Sequence, residues 1–260
     1  GDNAFDSALL IDNVRTVGGQ NLFQLTSTSG SQVESKAGGI VWRPHQTTQV
    51  AVADGAGAIG FVSTGPFDGN GNAQQQVMVS TSTGTSYERL TTMVDGAASR
   101  PALSATGSLI AFAATDDPVG SNPDLNQEVF LRNRSTSTTT QLTQTTGCAS
   151  GNPSLGGSTT RIAFESTCSG FGGAPNTNGN REIVVWTEGS GYRSITDTPA
   201  SCSSRNPAIS ADGRYVAFLS SCNLTGGNAD GSFEIFRWDL TTNAVLQVTA
   251  INNPAILVDG

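Results

Sequence analysis

The sequence predicts an all-β fold built from a repeated unit. A hydrophobic triplet ending in phenylalanine recurs at Phe61, Phe112, Phe164 and Phe218, at steps of 51, 52 and 54 residues. Within each unit, short β-rich runs are separated by turn signals such as Asp-Gly and Gly-Gly-Asn. Four short strands in a period of about 50 residues are typical of propeller blades, in which small twisted sheets bury their faces against one another. The predicted fold class is therefore a β-propeller of four-stranded antiparallel blades.

The last complete unit, residues 205–249, shows the pattern most clearly. We predict its four strands at residues 207–210, 215–220, 233–239 and 245–249. Most units have a polar residue followed by proline at the start of the first strand, as in Asn206-Pro207. An apolar residue followed by threonine closes the unit, as in Val248-Thr249.

Residues 206–218, with 233–239 and 246–249, resemble the WD-like repeat of the TolB family of bacterial propellers. The resemblance covers residues 50–260 well and the first 30 weakly. It departs at residues 50–61, where the proline is missing, and at residues 155–160, where Gly156-Gly157-Ser158 replaces the usual turn. It implies a periplasmic or surface protein that works through partners.

The repeats predict one propeller domain over residues 1–260. A partial blade and a long connection occupy residues 1–49, and four complete blades occupy residues 50–96, 97–147, 148–200 and 201–250. Residues 251–260 supply the first strand of a closing blade, whose last strands come from residues 8–26. We therefore expect Leu10 and Pro254 to be neighbours, either in a ring of about five blades or in a larger ring of about six to eight.

The amino-acid composition argues against nucleic acid as a partner and against a membrane-spanning segment. The net charge is −8 and only 13% of residues are charged, so the chain lacks the Lys and Arg clusters that nucleic-acid binding requires. No run of about 18 apolar residues occurs, and we predict no transmembrane segment. Polarity comes instead from Ser, Thr, Asn, Gln and 31 glycines, as in exported proteins.

The four cysteines lie at matching repeat positions in two consecutive units. Cys148 and Cys202 precede a first strand, and Cys168 and Cys222 follow a second strand. Because these strands are antiparallel neighbours, we predict the disulfides Cys148–Cys168 and Cys202–Cys222. The alternative is four free buried thiols, whereas metal binding is disfavoured because no Cys-x-x-Cys or Cys/His cluster occurs. Disulfides indicate a periplasmic or extracellular location.

The connection between the second and third strands carries oxygen-bearing side chains at alternate positions. Such oxygens suit a hard cation such as calcium, although Asn and Asp also favour tight turns for backbone reasons. Both interpretations stay open, and no cofactor is otherwise required. The candidate calcium ligands are Asn122, Asp124, Asn126 and Glu128; Asn176, Asn178, Asn180 and Glu182; and Asn228, Asp230, Ser232 and Glu234.

No catalytic motif is found, and the single histidine leaves at most one triad base. We expect a non-catalytic secreted or periplasmic module that holds protein partners in a larger envelope or membrane-associated assembly. The alternative is a carbohydrate-binding or hydrolytic propeller that uses its central channel. The predicted channel-lining residues are Arg100, Asn152, Arg205, Asn206 and Asn253.

Overall fold

A computed structural model describes residues 31–36, 39–44, 47–53, 57–65, 74–81, 86–172 and 176–251, with side chains described from residue 47 onward. These residues form 18 β-strands. No helix in these ranges has the length and apolarity needed to cross a bilayer.

Four antiparallel four-stranded sheets follow one another along the chain, each ordered as a simple meander. Blade 1 contains β3 (Thr47–Val52), β4 (Ala58–Ser63), β5 (Gln76–Thr81) and β6 (Tyr87–Arg89). Blade 2 contains β7 (Ala98–Leu103), β8 (Leu109–Ala114), β9 (Glu128–Asn133) and β10 (Thr138–Gln141). Blade 3 contains β11 (Ser150–Leu155), β12 (Arg161–Ser166), β13 (Glu182–Thr187) and β14 (Gly191–Ser194). Blade 4 contains β15 (Ser204–Ile209), β16 (Tyr215–Ser220), β17 (Glu234–Asp239) and β18 (Ala244–Gln247).

A separate hairpin precedes blade 1. It pairs β1 (Ser31–Lys36) with β2 (Gly39–Pro44). The sequence predicted a long connection before residue 50; the structure places this hairpin within it, and β3 begins at Thr47. The predicted closing blade, including Leu10, Asn253 and Pro254, lies outside the described residues.

The hydrophobic cores lie between consecutive blades. Phe112 and Phe130 of blade 2 are fully buried and stack at 5.5 Å in the core shared with blade 1. Ala111 and Val129, one position away on the same two strands, belong to the core shared with blade 3. Because side chains alternate along a strand, one blade contributes to both of its interfaces.

The second face of blade 4 is more exposed than the equivalent face of blade 3. Ile183 and Ile195 of blade 3 are 0% and 3% exposed in the core shared with blade 4. Their repeat equivalents in blade 4, Ile235 and Val248, are 39% and 55% exposed. This face of blade 4 thus carries apolar residues at the positions that form the interface in blade 3.

The turns between first and second strands connect neighbouring blades. Where Gly157 replaces the usual Asp-Gly turn of blade 3, its carbonyl accepts a 2.9 Å hydrogen bond from the Ala105 N–H of blade 2. The next residue, Ser158, donates its N–H to the Ala211 carbonyl of blade 4, also at 2.9 Å. A Cβ atom at Gly157 would lie 3.2 Å from that of Ala211. The missing side chain therefore permits the close approach of three successive turns.

Candidate functional site

The first strand of every blade carries a bulge at the same repeat position. The strand register shifts around Gln49, Arg100, Asn152 and Asn206. All four residues have left-handed backbone, with φ of 53°, 53°, 48° and 53°. Asn tolerates this conformation through its short polar side chain, whereas Gln and Arg adopt it rarely. A bulge redirects the side chain away from the pleat of its strand.

These four bulges surround one cavity of about 350 Å³. We call it the bulge cavity; its lining residues are Gln49, Val50, Arg100, Pro101, Asn152, Pro153, Asn206 and Pro207. Its size falls within the roughly 300–1,000 Å³ of small-ligand sites. The first strands of four blades therefore form a common polar site.

Hydrogen bonds hold two of the bulges to a carboxylate beside the cavity. Asn152 Nδ2 donates to Glu165 Oε1 at 2.5 Å, and the Asn206 N–H donates to Glu165 Oε2 at 3.1 Å. Glu165 is 7% exposed, and Arg181 lies 3.9 Å from its Oε1 atom. Because Glu165 is in blade 3 and Asn206 in blade 4, this carboxylate fixes the position of one blade against the next.

On the other side of the cavity, the side-chain amide of Gln49 connects two bulges. Gln49 Oε1 accepts a 2.5 Å hydrogen bond from the Arg100 N–H, joining the bulges of blades 1 and 2. Both side chains are exposed. Among the described residues, no hydrogen bond or ion pair engages the guanidinium of Arg100.

The structure places three of the five predicted channel residues, Arg100, Asn152 and Asn206, in the bulge cavity. Arg205 lies outside this lining, and its guanidinium carbon is 3.7 Å from the Phe233 ring centroid. Asn253 is outside the described residues. Gln49 does not fit the Xaa-Pro pattern and was not predicted, because valine and not proline follows it.

The candidate calcium residues make many hydrogen bonds within the protein. The first asparagine of each loop, Asn122, Asn176 or Asn228, donates its Nδ2 to a main-chain carbonyl four residues later, which closes the loop. Asp124 is exposed, Asn178 Nδ2 donates to the Thr198 carbonyl, and Asp230 accepts from Ser232.

In two of the three loops, a second asparagine bonds the segment that leads into the next blade. Asn180 Nδ2 lies 3.2 Å from the Thr198 carbonyl oxygen, 3.1 Å from that of Pro199 and 2.9 Å from that of Cys202. Asn126 Nδ2 similarly donates to the Cys148 carbonyl at 2.9 Å. These amide nitrogens thus lie among carbonyl oxygens, while Asn126 Oδ1 and Asn180 Oδ1 are buried with no hydrogen-bond partner in the described part of the chain.

The glutamate that ends each loop is also engaged. Glu128 accepts hydrogen bonds from the hydroxyl groups of Thr143 and Thr145, and Glu182 Oε1 accepts from Thr198. The Thr249 hydroxyl, the Ile251 N–H and the Ser232 hydroxyl lower the pKa of Glu234.

One buried oxygen of these loop-ending glutamates, Glu182 Oε2, has no hydrogen-bond partner among the residues that the structure describes. The described residues contain no group of three or more His, Cys, Asp or Glu side chains arranged to hold a metal. The choice between calcium sites and tight turns stays open.

Both predicted disulfides are confirmed. Cys148–Cys168 and Cys202–Cys222 join Cα atoms 5.3 and 5.2 Å apart, each across 20 residues of chain. Blade 2 carries Asp116 at the position that Cys168 and Cys222 occupy in blades 3 and 4.

In blades 3 and 4, each disulfide joins this position to the segment just before the first strand. In blade 2, the carboxylate of Asp116 instead bonds the corresponding segment through hydrogen bonds. Asp116 Oδ2 accepts hydrogen bonds from the N–H groups of Val94, Asp95 and Gly96 at 2.5, 3.2 and 3.2 Å. Burial alone would raise the pKa of Asp116, but these donors and the Asp117 N–H together lower it below its usual value.

Comparisons with known proteins support the architecture. No family model and no curated protein sequence matches the chain. Among solved structures, the chain is similar to a putative TolB from Agrobacterium tumefaciens, with 16% identity and a TM-score of 0.51 over 74% of this chain and 61% of that one. It is also similar to a prolyl endopeptidase, with 9% identity and a TM-score of 0.54 over 80% of this chain and 30% of that one. The chain thus spans less than two thirds of either protein. At these identities the likeness shows the fold alone, an all-β propeller-type arrangement similar to that of TolB.

Proposed function

We propose that this chain is a non-catalytic, TolB-like propeller that acts as a protein-interaction or scaffolding subunit of an envelope or membrane-associated assembly. The two disulfides are consistent with an oxidising compartment, here the periplasm or the cell exterior. The likeness to TolB adds a fold-level analogy, which bears on architecture more than on activity.

The composition of the bulge cavity is the observation that carries this proposal. Its lining consists of amide, guanidinium, proline and valine side chains. Amides and guanidinium groups recognise ligands by hydrogen bonding and stay in one protonation state near neutral pH. Such a lining suits binding better than proton transfer or nucleophilic attack.

Rigid support also favours binding. Each cavity side chain comes from a bulge within a four-stranded sheet, and hydrogen bonds through Glu165 and Gln49 connect neighbouring bulges. A site held in this way loses little conformational freedom when a partner binds, which favours affinity.

Carbohydrate binding or hydrolysis is the second candidate, because the amides of Gln49, Asn152 and Asn206 can also bond sugar hydroxyl groups. Site-specific photocrosslinking in the native cell envelope separates the candidates. A photoreactive residue would replace Asn206 at the cavity in one chain and Thr242, in the exposed turn between β17 and β18, in another.

Mass spectrometry of the crosslinked products gives the result. We expect a protein adduct from position 206 and none from position 242. Adducts with carbohydrate alone, or no adduct from position 206, would overturn the proposed function.

A further inference from the structure

We propose that the bulge cavity binds the side-chain carboxylate of an Asp or Glu residue in an acidic peptide segment. This inference rests on the proposed function and specifies the ligand chemistry of the same site. It follows from which hydrogen-bonding groups of the cavity are already engaged and which are left open.

Several side-chain oxygens around the cavity already accept hydrogen bonds. Gln49 Oε1 accepts from the Arg100 N–H at 2.5 Å. Asn206 Oδ1 faces Asn152 Nδ2 at 3.5 Å. The oxygens of Glu165 accept from Asn152 Nδ2 and from the Asn206 N–H. Among the described residues, Asn152 Oδ1 is left as the open side-chain acceptor of the lining, so a ligand that offers only hydrogen-bond donors would find few acceptors that are not already engaged.

Several side-chain donors of the bulge cavity are available to a ligand. Within the described residues, no acceptor engages the guanidinium of Arg100, Nε2 of Gln49 or Nδ2 of Asn206, and all three residues line the cavity. Arg100 supplies several N–H groups in a planar fork that matches a carboxylate. The remaining donors therefore favour an anionic ligand rich in acceptors.

The charge of Arg100 also favours an anionic ligand. The carboxylate of Glu165, beside the cavity, is held by Asn152 and Asn206 and lies near Arg181; among the described residues, no carboxylate pairs with Arg100, so its positive charge stays available at the lining. The whole chain carries a formal charge of −8, so this cationic spot distinguishes the site from an acidic protein. A carboxylate bound here would form a charge-assisted hydrogen bond, about twice as strong as a neutral one.

The shape of the cavity favours a peptide over a free inorganic anion. Val50, Pro101, Pro153 and Pro207 form the apolar part of a lining around about 350 Å³, which exceeds what a small ion fills. The proline residues carry no N–H, so they add no main-chain donors at these three positions. Hydrocarbon beside the carboxylate would contact these apolar groups.

The chain itself provides matched variants. Asn occupies the left-handed position of Arg100 in blades 3 and 4 and is also followed there by proline, so Arg100→Asn removes the charge with a residue that this backbone accepts. Asn206→Arg adds a second charge at an equivalent position. Arg193→Asn, at an exposed site on the outermost strand of blade 3, removes the same charge far from the bulges along the sheet.

The experiment measures fluorescence anisotropy of three labelled probes with the whole chain. The probes are a hexapeptide with a blocked C-terminus that contains three Asp or Glu residues, the same blocked hexapeptide with Asn and Gln in their place, and a uronic-acid trisaccharide. We expect the acidic peptide to bind best, Arg100→Asn to weaken it roughly ten- to a hundredfold, Arg193→Asn to leave it unchanged, and Asn206→Arg to strengthen it. Added salt should weaken binding. Unchanged melting curves and intact disulfides would show that the variants fold.

Every other outcome of this binding experiment would overturn either the carboxylate inference or the proposed function. Equal binding of acidic and neutral peptides would overturn the carboxylate inference and leave the protein-interaction proposal standing. Arg100-dependent binding of the uronic-acid probe with no peptide binding would overturn the proposed function. Failure of all three probes, or no effect of Arg100→Asn on acidic-peptide binding, would also overturn the inference.

Discussion

Asp116→Ala tests whether a carboxylate in blade 2 stabilises the fold at the position where blades 3 and 4 have disulfides. Asp116 is 6% exposed, and its carboxylate bonds the N–H groups of Val94, Asp95, Gly96 and Asp117. The substitution removes all of these acceptor contacts without altering any strand of the sheet.

The expected cost is moderate. A hydrogen bond to a charged group contributes about 1.5–3 kcal/mol net when buried. Val94 is 67% exposed, so water can replace part of the lost contacts and solvent screens the charge. We therefore expect Asp116→Ala to lower the free energy of unfolding by about 1–2 kcal/mol in total.

The pH dependence has a definite sign. Because the folded-state pKa of Asp116 is lowered, its contribution is fully present above the unfolded value of 3.8 and is lost as the pH falls through the folded value. Urea denaturation followed by tryptophan fluorescence at pH 7 and at about pH 3 gives the comparison. The exposed Asp197→Ala is the control. A difference between wild type and Asp116→Ala that is zero at pH 7, or larger at pH 3 than at pH 7, would refute the reasoning.

Three further perturbations test other parts of the structure. Replacing Cys202 and Cys222 together with alanine should cost about 3 kcal/mol of unfolding free energy, because the bond closes a loop of about 20 residues; a loss below about 1 kcal/mol in urea denaturation would contradict this. Ile183→Ala should cost about 2–5 kcal/mol as a buried truncation, whereas its exposed equivalent Ile235→Ala should cost far less; equal midpoints would contradict the assignment of the cores. Chelation should leave the melting temperature unchanged, because the Asn180 amide fills its carbonyl cluster; a drop that calcium reverses would show that the loops bind the ion.

Strand positions could be predicted from the sequence wherever side chains alternate regularly. The second strand of blade 4 matches its predicted bounds, Tyr215–Ser220. The first strand begins at Ser204, three residues before the prediction, because the bulge at Asn206 breaks the alternation. The last strand ends at Gln247, because the Thr249 hydroxyl instead accepts the Ile235 N–H of the third strand at 2.8 Å.

The candidate site was only partly predictable. The Xaa-Pro pattern identified Arg100, Asn152 and Asn206, but it could not identify Gln49, whose repeat lacks proline. Glu165 contacts Asn206 across 41 residues of chain, and no local pattern encodes such a contact. Contacts between blades likewise decide which hydrogen-bonding groups of the bulge cavity are engaged and which are open.

The most direct test of the central claim is an amide chemical-shift map of the isotope-labelled chain titrated with the acidic hexapeptide. The bulge cavity predicts the largest shifts at Gln49, Arg100, Asn152 and Asn206, one from each of four blades, and their loss in Arg100→Asn. Shifts confined to the exposed face of blade 4, or no shifts at all, would contradict the assignment of the cavity as the binding site.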